Sequence, residues 1–210
     1  LRQYGVPEEN IIMTGFPLPK ENIGDKQQFL KKDLGARLAR LDPNKHYIKP
    51  YGSLIKEHLG ANLKLKSNRP VTITFAVGGA GAQKERGIMV VRGLKDLIKK
   101  NKVRIVLVAG IRNMVRRYFL KELKKMGLHK KVHILYKPTK GEYFTAFNQT
   151  LRKTDIIWSK PSEISFFTAL GIPIVIAPPV GAHEKFNRQW LEHIGSGFVE
   201  VKPNNLKDWL

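Results

Sequence analysis

From Pro70 onward the chain repeats one pattern, a short run of β-branched residues followed by a longer amphipathic stretch. This alternation constrains the fold more than any other feature. Strands joined by helical crossovers pair in parallel, and a parallel sheet needs helices to cover it. The strands it predicts are Val71 to Val77, Val103 to Ala109, Val132 to Tyr136, Asp155 to Ser159 and Ile174 to Ala177. A weaker sixth strand runs through Phe198-Val199-Glu200-Val201. Between them, Ile88, Val91, Leu94 and Ile98 line one helix face, Tyr118, Leu123 and Met126 belong to a second helix that Gly127 closes, and Phe166, Phe167 and Leu170 belong to a third. The predicted class is α/β, an open parallel sheet with helices on both faces.

The first part of the chain reads differently. Residues 10 to 14 suggest a short strand that stops at Thr14-Gly15-Phe16-Pro17-Leu18-Pro19. Phe29, Leu30, Leu34, Leu38 and Leu41 recur at helical spacing, and Leu54, Ile55 and Leu59 mark a second helical piece that Gly60 ends. The expected division is a linker with the last strand of a preceding domain over 1–24, a helical connector over 25–68, and a Rossmann-like domain over 69–210. A first residue Leu1 in an ordinary loop-to-strand passage fits a fragment of a longer chain.

Composition sets outer limits. With 42% hydrophobic residues over 210 positions, the chain can fill one ordinary core. No apolar run reaches the roughly 18 residues of a spanning helix, and no signal peptide is visible, so the expected location is cytoplasmic, with peripheral membrane attachment as an extension. The absence of cysteine excludes disulfides, zinc-thiolate sites and a cysteine nucleophile. A formal charge of +21 implies attraction to a polyanion, an anionic membrane surface or phosphorylated ligands.

Ligands of open parallel sheets bind outside the carboxyl ends of the strands, so the loops that follow the strands are where chemistry is expected. The first strand runs into Gly78-Gly79-Ala80-Gly81-Ala82-Gln83. A tight turn needs one or two glycines; a run of small residues also lets backbone N–H groups approach a phosphate at a helix start. The loop lacks the Gly-Lys-Ser/Thr ending of a P-loop and the third glycine of the dinucleotide fingerprint. The second strand ends at Ala109-Gly110 without the ribose-binding acid of a nicotinamide site, which argues against a dehydrogenase. Arg112 can pair with a phosphate or stand as a solvated residue at a helix start. At Tyr136-Lys137-Pro138, strand-end backbone could read a base edge. Ser162 and Glu163 either cap the next helix or meet ribose hydroxyls. In Gly181-Ala182-His183-Glu184-Lys185-Phe186-Asn187, Asn187 occupies the place of the second histidine that a zinc-protease motif requires, so His183, Glu184 and Asn187 suit sugar hydroxyls better than a metal. The remaining histidines show no metal-ligand spacing.

The order of these pieces resembles the carboxyl-terminal domain of glycosyltransferase-B enzymes, especially those making lipid-linked N-acetylglucosamine in peptidoglycan synthesis and the galactolipid synthases. Met13-Thr14-Gly15-Phe16-Pro17-Leu18 looks like the passage between the family's two domains. Val77 to Ala82 resembles its glycine loop, Asp155-Ile156-Ile157-Trp158-Ser159 and Ala169-Leu170-Gly171-Ile172-Pro173 resemble the strand and helix exit flanking its ribose segment, and Gly181 to Asn187 is similar to its run near the donor sugar. One departure is plain: the family's ribose glutamate falls at Phe166, so Glu163 is the candidate replacement.

The resemblance implies binding of a nucleoside-diphosphate sugar, a uridine one by analogy, for transfer to an acceptor held by the chain's own N-terminal domain. It implies no cofactor beyond the donor and no metal, with backbone amides and a helix N-terminus stabilising the departing diphosphate. The base is expected on the other domain, so no catalytic residue is assigned and the isolated fragment should be inactive. A nucleotide-sugar epimerase is the nearest rival. A nucleic-acid module rests on charge alone, with no recognised motif, and nucleic acid is not expected as a partner. The basic stretch from Arg112 to Lys131, with Arg117, Lys121, Lys124 and Lys125 on one outward face, either stays solvated or leans on anionic lipid.

Overall fold

The computed structural model describes residues 2–61, 68–76, 81, 83–179 and 181–200. Its helices are α1 (Lys20–Ile23), α2 (Gln28–Leu41), α3 (Gly52–Leu59), α4 (Lys84–Gly93), α5 (Lys95–Lys99), α6 (Asn113–Lys125), α7 (Lys140–Leu151), α8 (Ile164–Ala169) and α9 (Ala182–His193). Its strands are β1 (Val71–Ala76), β2 (Val103–Gly110), β3 (His133–Tyr136), β4 (Ile156–Ser159), β5 (Ile174–Ile176) and β6 (Gly197–Val199). They form one sheet in the order β3-β2-β1-β4-β5-β6, with every pairing parallel. This is the Rossmann-like α/β architecture expected from the sequence.

Strand alternation divides the core between the two faces. Val103, Ile105, Leu107 and Ala109 of β2 pack with Ile88, Val91, Ile98 and Phe119 of α4, α5 and α6. The other face sends Val106 and Val108 toward Tyr143, Ala146 and Phe147 of α7. Farther along that face, Ile157, Ile174 and Ile176 meet Phe167, Leu170 and Leu191, with Ile23 and Leu30 of the amino-terminal helices packed against them. Each fully buried aliphatic side chain contributes about 1.5–3 kcal/mol.

At the amino-terminal end of the sheet, polar groups lock α2 to β1 and β4. Asp155, fully buried, accepts from Arg40 Nε at 2.7 Å, Arg69 Nη1 at 2.9 Å and the Thr72 backbone N at 2.8 Å. Arg37 is also buried, and it donates to the carbonyls of Thr154, Leu170 and Gly171 at 3.0–3.1 Å. Burial lowers its guanidinium to about 10, with Asp155 and Asp33 opposing the shift. Arg152 pairs with Asp33 of α2 at 2.9 Å. Residues 25–41, read from sequence as part of a connector, are thus fastened to the sheet.

Several elements differ from the sequence reading. No strand forms at 10–14: Glu8–Asn10 is a short 3-10 turn, and Ile12 and Met13 are exposed. A strand needs a neighbour to satisfy its backbone, and none of the six strands pairs with this segment. The single helix face from Ile88 to Ile98 is buried as expected, but the helix breaks at Leu94 (φ −102°, ψ 10°) into α4 and α5. The sequence reading named no helix at α7 and none at α9.

Candidate functional site

With this strand order the connection after β1 runs to β2 on one side and the connection after β4 runs to β5 on the other, which opens a crevice at the carboxyl ends of β1 and β4. Gly78, Gly79, Ala80 and Ala82 of the predicted phosphate loop lie outside the described residues. Gly81 and Gln83 are described, and both have left-handed backbone, at φ +70° and +66°. Gln83 precedes α4, so this turn delivers the helix N-terminus to the crevice. The helix lies close to its strand because Gly87 has no side chain: a Cβ there would fall 2.9 Å from Phe75 Cδ1. Gly87 thus supplies the close helix–strand packing that the third glycine of the dinucleotide fingerprint provides, a few residues later than that motif places it.

The loops after β1 and β2 come together. A Cβ on Gly81 would meet Val115 Cγ2 at 3.0 Å and Arg112 Cδ at 3.4 Å, so the Arg112 side chain runs beside the glycine turn. Arg112 itself is exposed and stands at the N-cap of α6. Gly110 takes the positive φ of +63° that turns the chain out of β2, and its carbonyl accepts from Lys137 N at 3.0 Å. Tyr136 closes β3, half-buried, with the Arg116 guanidinium 5.2 Å from its ring centre. It stands two strands away from the β1–β4 opening.

The loops after β4 and β5 are tied to one another. Lys160 Nζ pairs with Glu184 Oε1 at 2.6 Å, and Glu184 is only 2% exposed. Asn187 Nδ2 donates to the Pro161 carbonyl at 2.8 Å. Gln83 Nε2 donates to the Pro178 carbonyl at 2.9 Å, joining the β1 loop to the same group. Glu184 and Asn187, read from sequence as sugar contacts, have structural partners in this arrangement. Residue type alone could not separate a ligand carboxylate from a buried half of an ion pair.

The N-cap position of α8 is Glu163, with no side-chain cap bond; Ser162 Oγ instead donates to Glu163 Oε2 at 2.5 Å, and both residues are exposed. The helix-cap reading of this pair is therefore corrected. Glu163 faces Tyr143 of α7 closely enough to reinforce burial in raising the phenol to about 12. Phe166, at the position of the family's ribose glutamate, is packed against the core. The His183 ring folds back over Gly181, whose added Cβ would sit 2.9 Å from His183 Cε1.

Two further groups stand at this end: Gln83 belongs to the predicted phosphate loop, and Ser159 was not named as a site residue from sequence. Gln83 Oε1 and Ser159 Oγ are buried without a hydrogen-bond partner among the described residues. They sit at the carboxyl ends of β1 and β4, the two strands flanking the crevice. Buried polar atoms are almost always satisfied, by water or ligand where the protein offers nothing. Beside them Trp158 Nε1 donates to Glu200 Oε2 at 2.8 Å and Arg86 pairs with the same carboxylate, which burial nevertheless raises above its ordinary range. Among the described residues, no group of three or more His, Asp or Glu side chains is arranged to hold a metal ion.

A family profile matches this chain in two overlapping stretches, 60–134 and 118–207, and its description is a domain of unknown function, DUF6938. No curated protein and no solved structure matches the chain. The profile covers the whole sheet and the crevice loops, well over half of the sequence, and the chain is a member of the DUF6938 family.

Proposed function

We propose that the crevice between the carboxyl ends of β1 and β4 binds a nucleoside-diphosphate sugar, a uridine one by the resemblance to glycosyltransferase-B enzymes, and that the chain serves as the donor side of a glycosyl transfer. The observation that carries this reading is the meeting of Gly81 and Arg112 at the switch point, where the α4 N-terminus, a side-chain cation and backbone with little bulk converge. Such a combination suits a diphosphate, because helix-end N–H groups and a guanidinium both favour its charge. The unpartnered Gln83 Oε1 and Ser159 Oγ are available to a bound molecule. Glu163 is free to meet ribose hydroxyls if Ser162 rotates away.

Gly81→Val is a poor probe of this idea, since its Cβ would press on Val115, a core residue, at an unfavourable φ. Arg112→Ala is cleaner, because the side chain is exposed. Titrating uridine diphosphate in a calorimeter should show binding weakened about ten- to a hundredfold in this variant at unchanged melting temperature, as expected for a charge-assisted hydrogen bond of about 1.5–3 kcal/mol. Identical affinities, or no binding by the parent chain, would sink the assignment.

A further inference from the structure

Parallel sheets are normally covered on both faces. Here one face of an interior strand is left partly open. α7 covers Val108 of β2 and Leu135 of β3 with Tyr143, Ala146 and Phe147, but the amino-terminal half of the same face, bearing Arg104 on β2 and His133 on β3, is exposed. The result is a groove of about 670 Å³ between the open strands, the flank of α7 and the turns that lead into β1, β2 and β3.

The lining of that groove is one-sided in charge. Arg69, Arg104, Lys130, Lys131, Lys137 and Lys153 contribute to it, and among the described residues no carboxylate does. The carboxylate that pairs with Arg69, Asp155, is fully buried and shared with Arg40. Arg104 is close enough to Arg69 to disfavour its charge further, after burial. Lys131 is held in place by the Lys99 carbonyl at 2.8 Å and Asn101 Oδ1 at 3.2 Å. A second cleft of about 430 Å³ shares Lys130, Lys131 and His133 with the first, adds Arg116, and has no carboxylate among its described residues. Like charges gathered in a concavity repel one another, and an arginine on an interior strand forgoes the covering helix that burial would reward.

We propose that this groove is an anion site for a small, multiply phosphorylated ligand, separate from the crevice at the carboxyl ends of the strands. Its concavity and size suit a compact ligand better than a flat bilayer surface. Among the described residues its lining has no Phe, Tyr or Trp and a single imidazole, which disfavours single-stranded nucleic acid held by successive stacking. Clustered phosphates could come from a free polyphosphate or from a phosphorylated lipid headgroup, and both use the same cations.

The test is calorimetry on the whole chain at physiological salt with inorganic tripolyphosphate, repeated with vesicles carrying a bisphosphorylated inositol lipid. Saturable one-to-one binding in either arm is expected, and the arm that binds identifies the source. Arg104→Gln with Lys153→Gln should weaken it at least tenfold at unchanged melting temperature, because both side chains are exposed. The control pair Lys49→Gln and Lys56→Gln, exposed before and on α3 and outside both clefts, should leave it unchanged. Saturating uridine diphosphate should not compete. Equal weakening by the two pairs, displacement by uridine diphosphate, or equally tight binding to phosphatidylserine vesicles or RNA would each overturn the site.

Discussion

Asp155 bears a larger share of the architecture than its conventional place at a strand start suggests. Its carboxylate satisfies two arginines and a backbone N–H while fully buried, so Asp155→Asn would leave Arg40 and Arg69 short of their counter-charge. A loss of about 3–5 kcal/mol is expected for breaking a buried pair of this kind, read from urea unfolding. Gly171 is the second pressure point. Its φ is +60°, and any Cβ there would collide with Leu34 of α2, so Gly171→Ala should also destabilise, by overpacking and backbone strain of about 1–3 kcal/mol together. The motif Ala169-Leu170-Gly171-Ile172-Pro173 was read from sequence as a family signature flanking the ribose segment. The structure gives its glycine a packing reason, close approach of a helix about 130 residues earlier in the chain.

At the scale of elements, what could be read in advance follows from where the information lies. Interior parallel strands are buried on both faces, so their β-branched runs stand out in sequence, and the boundaries of all six fall close to the expected ones. α7 was missed although its start, Thr139-Lys140-Gly141-Glu142, carries the sequence signature of a capping box. Thr139 Oγ1 donates to Glu142 Oε2 at 2.7 Å and accepts from the Glu142 backbone N at 3.3 Å, with Tyr143, Phe147 and Leu151 following at helical spacing. Thr139→Ala should cost about 1 kcal/mol, a fall of roughly 2–4 °C in melting temperature for a chain of this size. α9 was hidden for another reason: the Pro178-Pro179 pair and the polar residues after it read as a loop, while the helix is anchored by Leu191 and the buried Glu184. The reading of 10–14 as a strand erred in the opposite sense, because β propensity has no effect without a partner strand. That Gly81 and Arg112 both stand on loops at the carboxyl ends of strands was legible in the sequence; that the two loops touch was not. The tethering of Glu184 and Asn187 was not, since it depends on Lys160 and Pro161 arriving from another loop.

For the whole molecule, the distribution of positive charge matters more than its sum. On α6, Val115, Phe119 and Leu123 are buried, while Arg117, Lys121, Lys124 and Lys125 are exposed on the opposite side. Lys125 is engaged by Glu122 at 2.6 Å. Each basic residue near an anionic bilayer adds about 1 kcal/mol. The chain should therefore sediment with phosphatidylserine vesicles at low ionic strength and release as salt rises, and Arg117, Lys121 and Lys124 changed together to glutamine should reduce that binding. Equal sedimentation with neutral vesicles would refute the role of this face. No helix among the described residues is long and apolar enough to cross a membrane.

The lock between α2 and the start of β4 also dictates an order of events during synthesis. Arg37 and Arg40 find their partners at Thr154 and Asp155, 117 and 115 residues later in the chain. Until that stretch has left the ribosome, β1 lacks its β4 neighbour, and α2 has nowhere to place Leu30 or its guanidinium groups. Closing so distant a contact is slow, and the waiting chain exposes apolar surface meanwhile. The nascent protein is thus expected to remain a chaperone client until β4 and the chain through Gly171 have emerged, and then to consolidate its first helices and its central strands together.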